Sequence, residues 1–198
     1  MGELVSIIGR GSWSSNSSNT QNDLPSNRDY NFYRTFRNCT NIRDAKWLVM
    51  PTNVMPWCYW NMFENCSKLE TPPELPATGI ASSCYYGMFG NCTKLQYAPA
   101  LKATTQADDC YGGMFAGCTS ISSMSVNFTT WGTSNNPVGQ TVYNTESWVP
   151  SNINPNGVFY KPPALTARFG TSFIPSGWNV VDVYNNTLSM KNNTTFNV

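Results

Sequence analysis

The chain has 198 residues, with 12% charged, 14% aromatic and a formal net charge of +1. That length suits one ordinary domain with attached tails, and so little charge leaves no footprint for a phosphate backbone or an acidic lipid surface, which argues against nucleic acid as a partner. There is no histidine, so Ser-His-Asp, Cys-His and zinc-protease arrangements are excluded.

Residues 1–28 begin MGELVSIIGRGS and continue as GSWSSNSSNTQNDLPSN. The apolar run is about five residues behind an acidic lead, shorter than the roughly 7–15 residues of a signal-peptide core. It reads as a small anchor, Leu4, Val5, Ile7 and Ile8, followed by a polar low-complexity linker. An apolar patch that small is expected to be covered in a symmetric assembly. No stretch reaches the roughly 20 apolar residues of a membrane span.

Residues 29–130 carry one phrase three times: CYWNMFENCSKL from Cys58, CYYGMFGNCTKL from Cys84 and CYGGMFAGCTSI from Cys110. Phe36, Phe63, Phe89 and Phe115 keep step with Cys39, Cys66, Cys92 and Cys118, and with Ile42, Leu69, Leu95 and Ile121, at steps of 27, 26 and 26. A fixed period of this size marks units that bury their apolar faces only against one another. Within a unit, Ala81, Cys84, Tyr85, Met88 and Phe89 fall at i, i+3, i+4, i+7 and i+8, which predicts one stripe of a short helix. Trp57, Ser83 and Asp109 correspond between copies, as do Trp60, Tyr86 and Gly112; positions that vary so freely are expected to face solvent. Asn-Cys-Ser/Thr, or Gly-Cys-Thr in the last copy, then turns the chain through residues that tolerate positive φ. A short extended segment such as 95–101 follows, ended by Pro-rich punctuation, and these segments are expected to stack in parallel. Residues 131–184 depart from the period. Trp148, Phe159, Tyr160, Phe173 and Trp178 are expected to cover the last unit as a cap. Residues 185–198 form a polar tail.

At this point the residues resemble a known family. CYxxMFxNC(S/T)KL with its LETPPELPAT and LQYAPALKATT continuations, and the NGVFYKPPAL…GTSFIPSGWNVV ending, are similar to the BspA-type leucine-rich repeats of surface proteins from gut Bacteroidetes. The likeness spans roughly residues 30–182. It implies an α/β fold, a short right-handed leucine-rich-repeat-like solenoid of about four coils with an irregular C-terminal cap and an extended N-terminal arm. It implies a binding or adhesive role and transfers no catalytic residues. Related repeats also occur in phages of those bacteria, where they look like parts of virion appendages.

The residue chemistry points the same way. Seven cysteines lie eight apart within each unit, which is no zinc-knuckle spacing. They read either as buried thiols acting as small hydrophobes or as within-unit disulfides that leave Cys39 over. Asn38, Asn65 and Asn91 match the N-glycosylation pattern, but the turn alone accounts for them. Asp108 and Asp109 read as a solvated helix start rather than a glycosidase pair. The aromatics Trp57, Trp60 and Tyr97 are the candidate contacts, able to stack on sugar faces or anchor a protein neighbour. The expectation is a non-enzymatic protein without cofactor or metal. It is a phage head or tail fibre or decoration protein on the virion surface, with other virion proteins and its own copies as partners. A trimer is one option and a host-surface glycan is a further partner. The alternative is a bacterial cell-surface adhesin or glycan-binding module.

Overall fold

The repeated phrase folds as a ribbon of turns in which N–H groups alternate between two kinds of partner. The computed structural model describes residues 31–135 and 138–184; Leu4, Val5, Ile7 and Ile8 and the tail lie outside them. In the second repeat, the N–H groups of Trp60, Met62, Glu64 and Cys66 donate to the carbonyls three residues back. Those of Trp57, Tyr59, Asn61, Phe63 and Asn65 instead donate to Ser82, Cys84, Tyr86, Met88 and Gly90 of the next repeat, at 2.7–3.1 Å. The carbonyls of Cys58, Trp60, Met62 and Glu64 in turn accept from Phe32, Arg34, Phe36 and Asn38 of the preceding one. A buried backbone group left unpaired is costly, and this alternation pairs them all without helix or sheet.

This corrects the expected helix. No described residue is helical, and the described strands form two small sheets. The cause lies in every fourth residue: Trp57, Asn61 and Asn65, then Ser83, Gly87 and Asn91, then Asp109, Gly113 and Gly117, all have φ between +51° and +77°. A left-handed residue at that interval reverses the winding a helix would need. The apolar stripe is nonetheless buried, because the four-residue interval keeps Cys84, Tyr85, Met88, Phe89 and Cys92 on one side of the ribbon.

Stacking the ribbons builds two columns of parallel rings. Phe36, Phe63, Phe89 and Phe115 lie at successive centroid distances of 5.2, 5.6 and 5.7 Å. Phe32, Tyr59, Tyr85 and Tyr111 follow at 5.5, 5.5 and 6.0 Å. Such offset stacking adds to the area these rings remove from water. The thiols of Cys66, Cys92 and Cys118 donate to the carbonyls of Phe36, Phe63 and Phe89. None of the seven cysteines is in a disulfide, and six of them are buried.

The ribbon continues into the C-terminal unit. Tyr111, Gly113 and Phe115 donate to Asn144, Glu146 and Trp148, and Ser147 repeats the positive φ at +49°. Trp148 is fully buried and meets Tyr111, Phe115 and Phe128 at 6.3–6.5 Å. Phe159 is buried beside it and Trp178 is also buried, while Tyr160 and Phe173 are half-buried. On the extended side, the first two repeats are joined by the isolated bridge of Asp44 to Thr71 and by backbone bonds such as Glu70 N–H to the Arg43 carbonyl, without a described strand. A parallel sheet forms later, from β1 (Ser123–Ser125), β4 (Val158–Lys161) and β5 (Asn179–Asp182) in the order β1-β4-β5, while β2 (Thr133–Asn135) and β3 (Thr141–Tyr143) make an antiparallel ribbon. Among the described residues no helix is long and apolar enough to cross a membrane.

Candidate functional site

Because the ribbons stack in register, equivalent positions form columns on the outer face. Tyr33, Trp60 and Tyr86 make one, with centroids 6.1 Å and then 5.0 Å apart. The Arg34 guanidinium lies 4.7 Å over the Tyr33 ring at its start. Trp60 and Tyr86 are half-buried and Tyr33 is 37% exposed, so the stack offers partly wetted rings on a backbone tied from rung to rung.

Trp57, Ser83 and Asp109 form the neighbouring column. All three hold positive φ, Trp57 at +57°, where an indole side chain costs about 1–2 kcal/mol of backbone strain. The three are half-buried rather than fully solvent-facing, because the ribbon is flatter than the expected helix. Tyr97, the third expected contact, is half-buried on the extended side.

The column of rings ends in a hollow of about 530 Å³ lined by Tyr86, Asp109, Gly113, Ala116, Val142, Glu146 and Ser147. Gly112 takes the ring position in this repeat, and its bareness admits the neighbours. A Cβ there would stand 2.3 Å from Asp109 Oδ1 and 2.8 Å from Tyr86 Cε2. The Asp109 N–H donates to Asn144 Oδ1 at 3.1 Å. Burial first, then the charges of Glu146 and Asp108, pushes the Asp109 carboxyl up to about 6. Burial, with the Asp109 carboxylate beside it, also raises the Tyr86 phenol.

A second groove, of about 430 Å³, lies in the C-terminal unit between Thr129, Thr130, Trp131, Thr166 and Arg168. Arg168 is held 4.6 Å over Phe173 and 5.2 Å over Tyr143, and donates to the Tyr143 hydroxyl at 2.9 Å. Neither groove was legible in the sequence, since each is completed by residues outside the repeated phrase, 142–147 in the first and 129–131 with 164–168 in the second. The vacant ring position at Gly112 was the one available signal.

The asparagine turns behave as their spacing predicts. Asn38, Asn65 and Asn91 have φ of +65°, +63° and +60°. The Nδ2 groups of Asn65 and Asn91 donate to the preceding asparagine's Oδ1 at 2.8 and 3.0 Å. Those two amide nitrogens are engaged in a ladder, which suits structural turns. Gly117 ends the ladder, where a Cβ would stand 2.1 Å from Asn91 Oδ1.

No family model matches the chain. No curated protein and no solved structure matches it either.

Proposed function

We propose that this protein is a non-enzymatic display module: a short solenoid of about four BspA-like coils that a phage appendage presents to a host surface, working as a homo-oligomer. The observation that carries this reading is the ring column Tyr33–Trp60–Tyr86 on the outer face, the kind of surface that stacks on sugar faces or anchors a protein neighbour. Six buried, unbridged thiols favour assembly in a reducing cytoplasm over folding in an oxidising secretory route, and so favour the virion over a secreted adhesin.

The test is adhesion. Fluorescently labelled full chain is incubated with gut Bacteroidetes cells, and light scattering is measured on the same preparation. The reading expects cell staining that Trp60→Ala abolishes, and a mass that is a multiple of the chain. Absence of staining across hosts, or a monomer at all concentrations, would count against it.

A further inference from the structure

We propose that the hollow between Tyr86 and Glu146 is a subsite for one neutral hexose unit of a glycan, whose chain runs on along Trp60 and Tyr33. This deepens the adhesive reading and rests on it. On the outer face, Tyr33, Trp60, Tyr86, Gly112 and Glu146 take equivalent places in successive ribbons, with the last pairing carried by the Gly113 N–H to Glu146 carbonyl bond at 2.9 Å. Ring, ring, ring, bare glycine and carboxylate thus follow in a line. Tyr86 and Asp109 close over the bare position, and the hollow opens beside them, against Glu146 and Ser147.

Each wall selects one part of a sugar. The Tyr86 ring, brought close to Asp109 by the missing Gly112 side chain, offers a π-face to the C–H side of a pyranose. Asp109 and Glu146 are acceptors when ionised, and neighbouring hydroxyls of a polyol supply donors for charge-assisted bonds. Gly113 and Ala116 keep the floor low enough for a ring to lie flat. No cationic side chain lines the hollow, so a sugar carrying its own carboxylate meets repulsion there. A flat apolar ligand would stack on Tyr86 but leave both carboxylates without donors, which is costly in a partly dry site.

The experiment is calorimetric titration of the full chain with neutral gluco-, galacto- and manno-oligosaccharides, the same oligosaccharides capped with sialic acid, and choline as a cation probe. At least one neutral series is expected to bind saturably, with the sialylated forms weaker. Tyr86→Ala is expected to weaken binding about tenfold, Glu146→Gln about fivefold, and Tyr86→Phe by no more than about twofold. Urea midpoints are recorded for each variant so that loss of binding is separated from loss of fold. Neutral sugars that bind Tyr86→Ala and Glu146→Gln as they bind the parent would overturn the subsite and leave adhesion standing. Cell staining by a protein that takes up no neutral sugar, or only choline or sialylated chains, would do the same. A protein that neither stains cells nor takes up sugar would sink both.

Discussion

Asn91 donates its Nδ2 to the Oδ1 of Asn65 at 3.0 Å, and both residues hold a left-handed backbone. Each therefore does two jobs, one in its own turn and one between repeats. Asn65→Gly keeps the turn and loses the ladder, at about 1 kcal/mol. Asn65→Ala loses both, at about 2–3 kcal/mol. Urea denaturation should rank parent, Gly and Ala in that order. Equal midpoints for Gly and Ala would show that the positive φ imposes nothing.

Phe89 lies between Phe63 and Phe115, whereas Phe36 stacks on Phe63 at the edge of the described stack. Phe89→Ala should cost about 3–5 kcal/mol and Phe36→Ala about half as much. Denaturant midpoints compare them. Equal costs would mean that the rings do not form a continuous column.

The thiols should divide sharply. Cys39 is exposed and the other six are buried. Burial, with Cys92 beside it, pushes the Cys66 thiol up to about 12, and burial pushes Cys110 to the same range. Since the thiolate is the reactive form, Ellman's reagent at pH 8 should titrate one thiol quickly and the rest only after denaturation. Rapid reaction of more than one in the native protein would contradict the packing.

Asp109 should make stability pH-dependent. Its carboxyl sits at about 6 in the fold against an ordinary 3.8, so between those values the folded chain holds a proton that the unfolded chain has released. Stability therefore falls as pH rises from about 4 to about 6, and the cost persists above that. At full value the difference would be ~3 kcal/mol; the group is half-exposed, and screening brings the expected effect to about 1 kcal/mol. Asp109→Asn should be more stable than the parent at pH 7 by about that amount, with the gain shrinking towards pH 4. A gain equal at both pH values would place its origin in the backbone conformation instead.

The repeat spacing made much of this interior legible. Phe63, Cys66 and Leu69, and their equivalents 26 residues on, are all fully buried, and the asparagines turn the chain where expected. The helix misread one pattern for another. Over the nine residues from Cys84 to Cys92, an interval of 4.0 and a helical 3.6 put the same side chains on one face. What separates them is Ser83, Gly87 and Asn91, three residues at strict four-residue spacing that favour turns or positive φ, and that periodicity was the unread signal. The continuation of the ribbon through Ser147 and Trp148 was hidden for another reason: Asn144, Thr145, Trp148 and Val149 stand where the repeats carry Cys, Tyr, Met and Phe, so the geometry persists after the phrase is gone. The candidate site was half legible. Trp60 proved to lie in a ring column, but Glu146 joins it only through that unmarked continuation.

The account rests on backbone bonds that run between repeats, and these can be detected directly. Scalar coupling across hydrogen bonds, measured by NMR on a deuterated sample, should connect the Phe63 nitrogen to the Met88 carbonyl carbon and the Tyr59 nitrogen to that of Cys84. Couplings from Phe63 to Tyr59, four residues back, would restore the helix and remove the outer-face columns together with the site built on them.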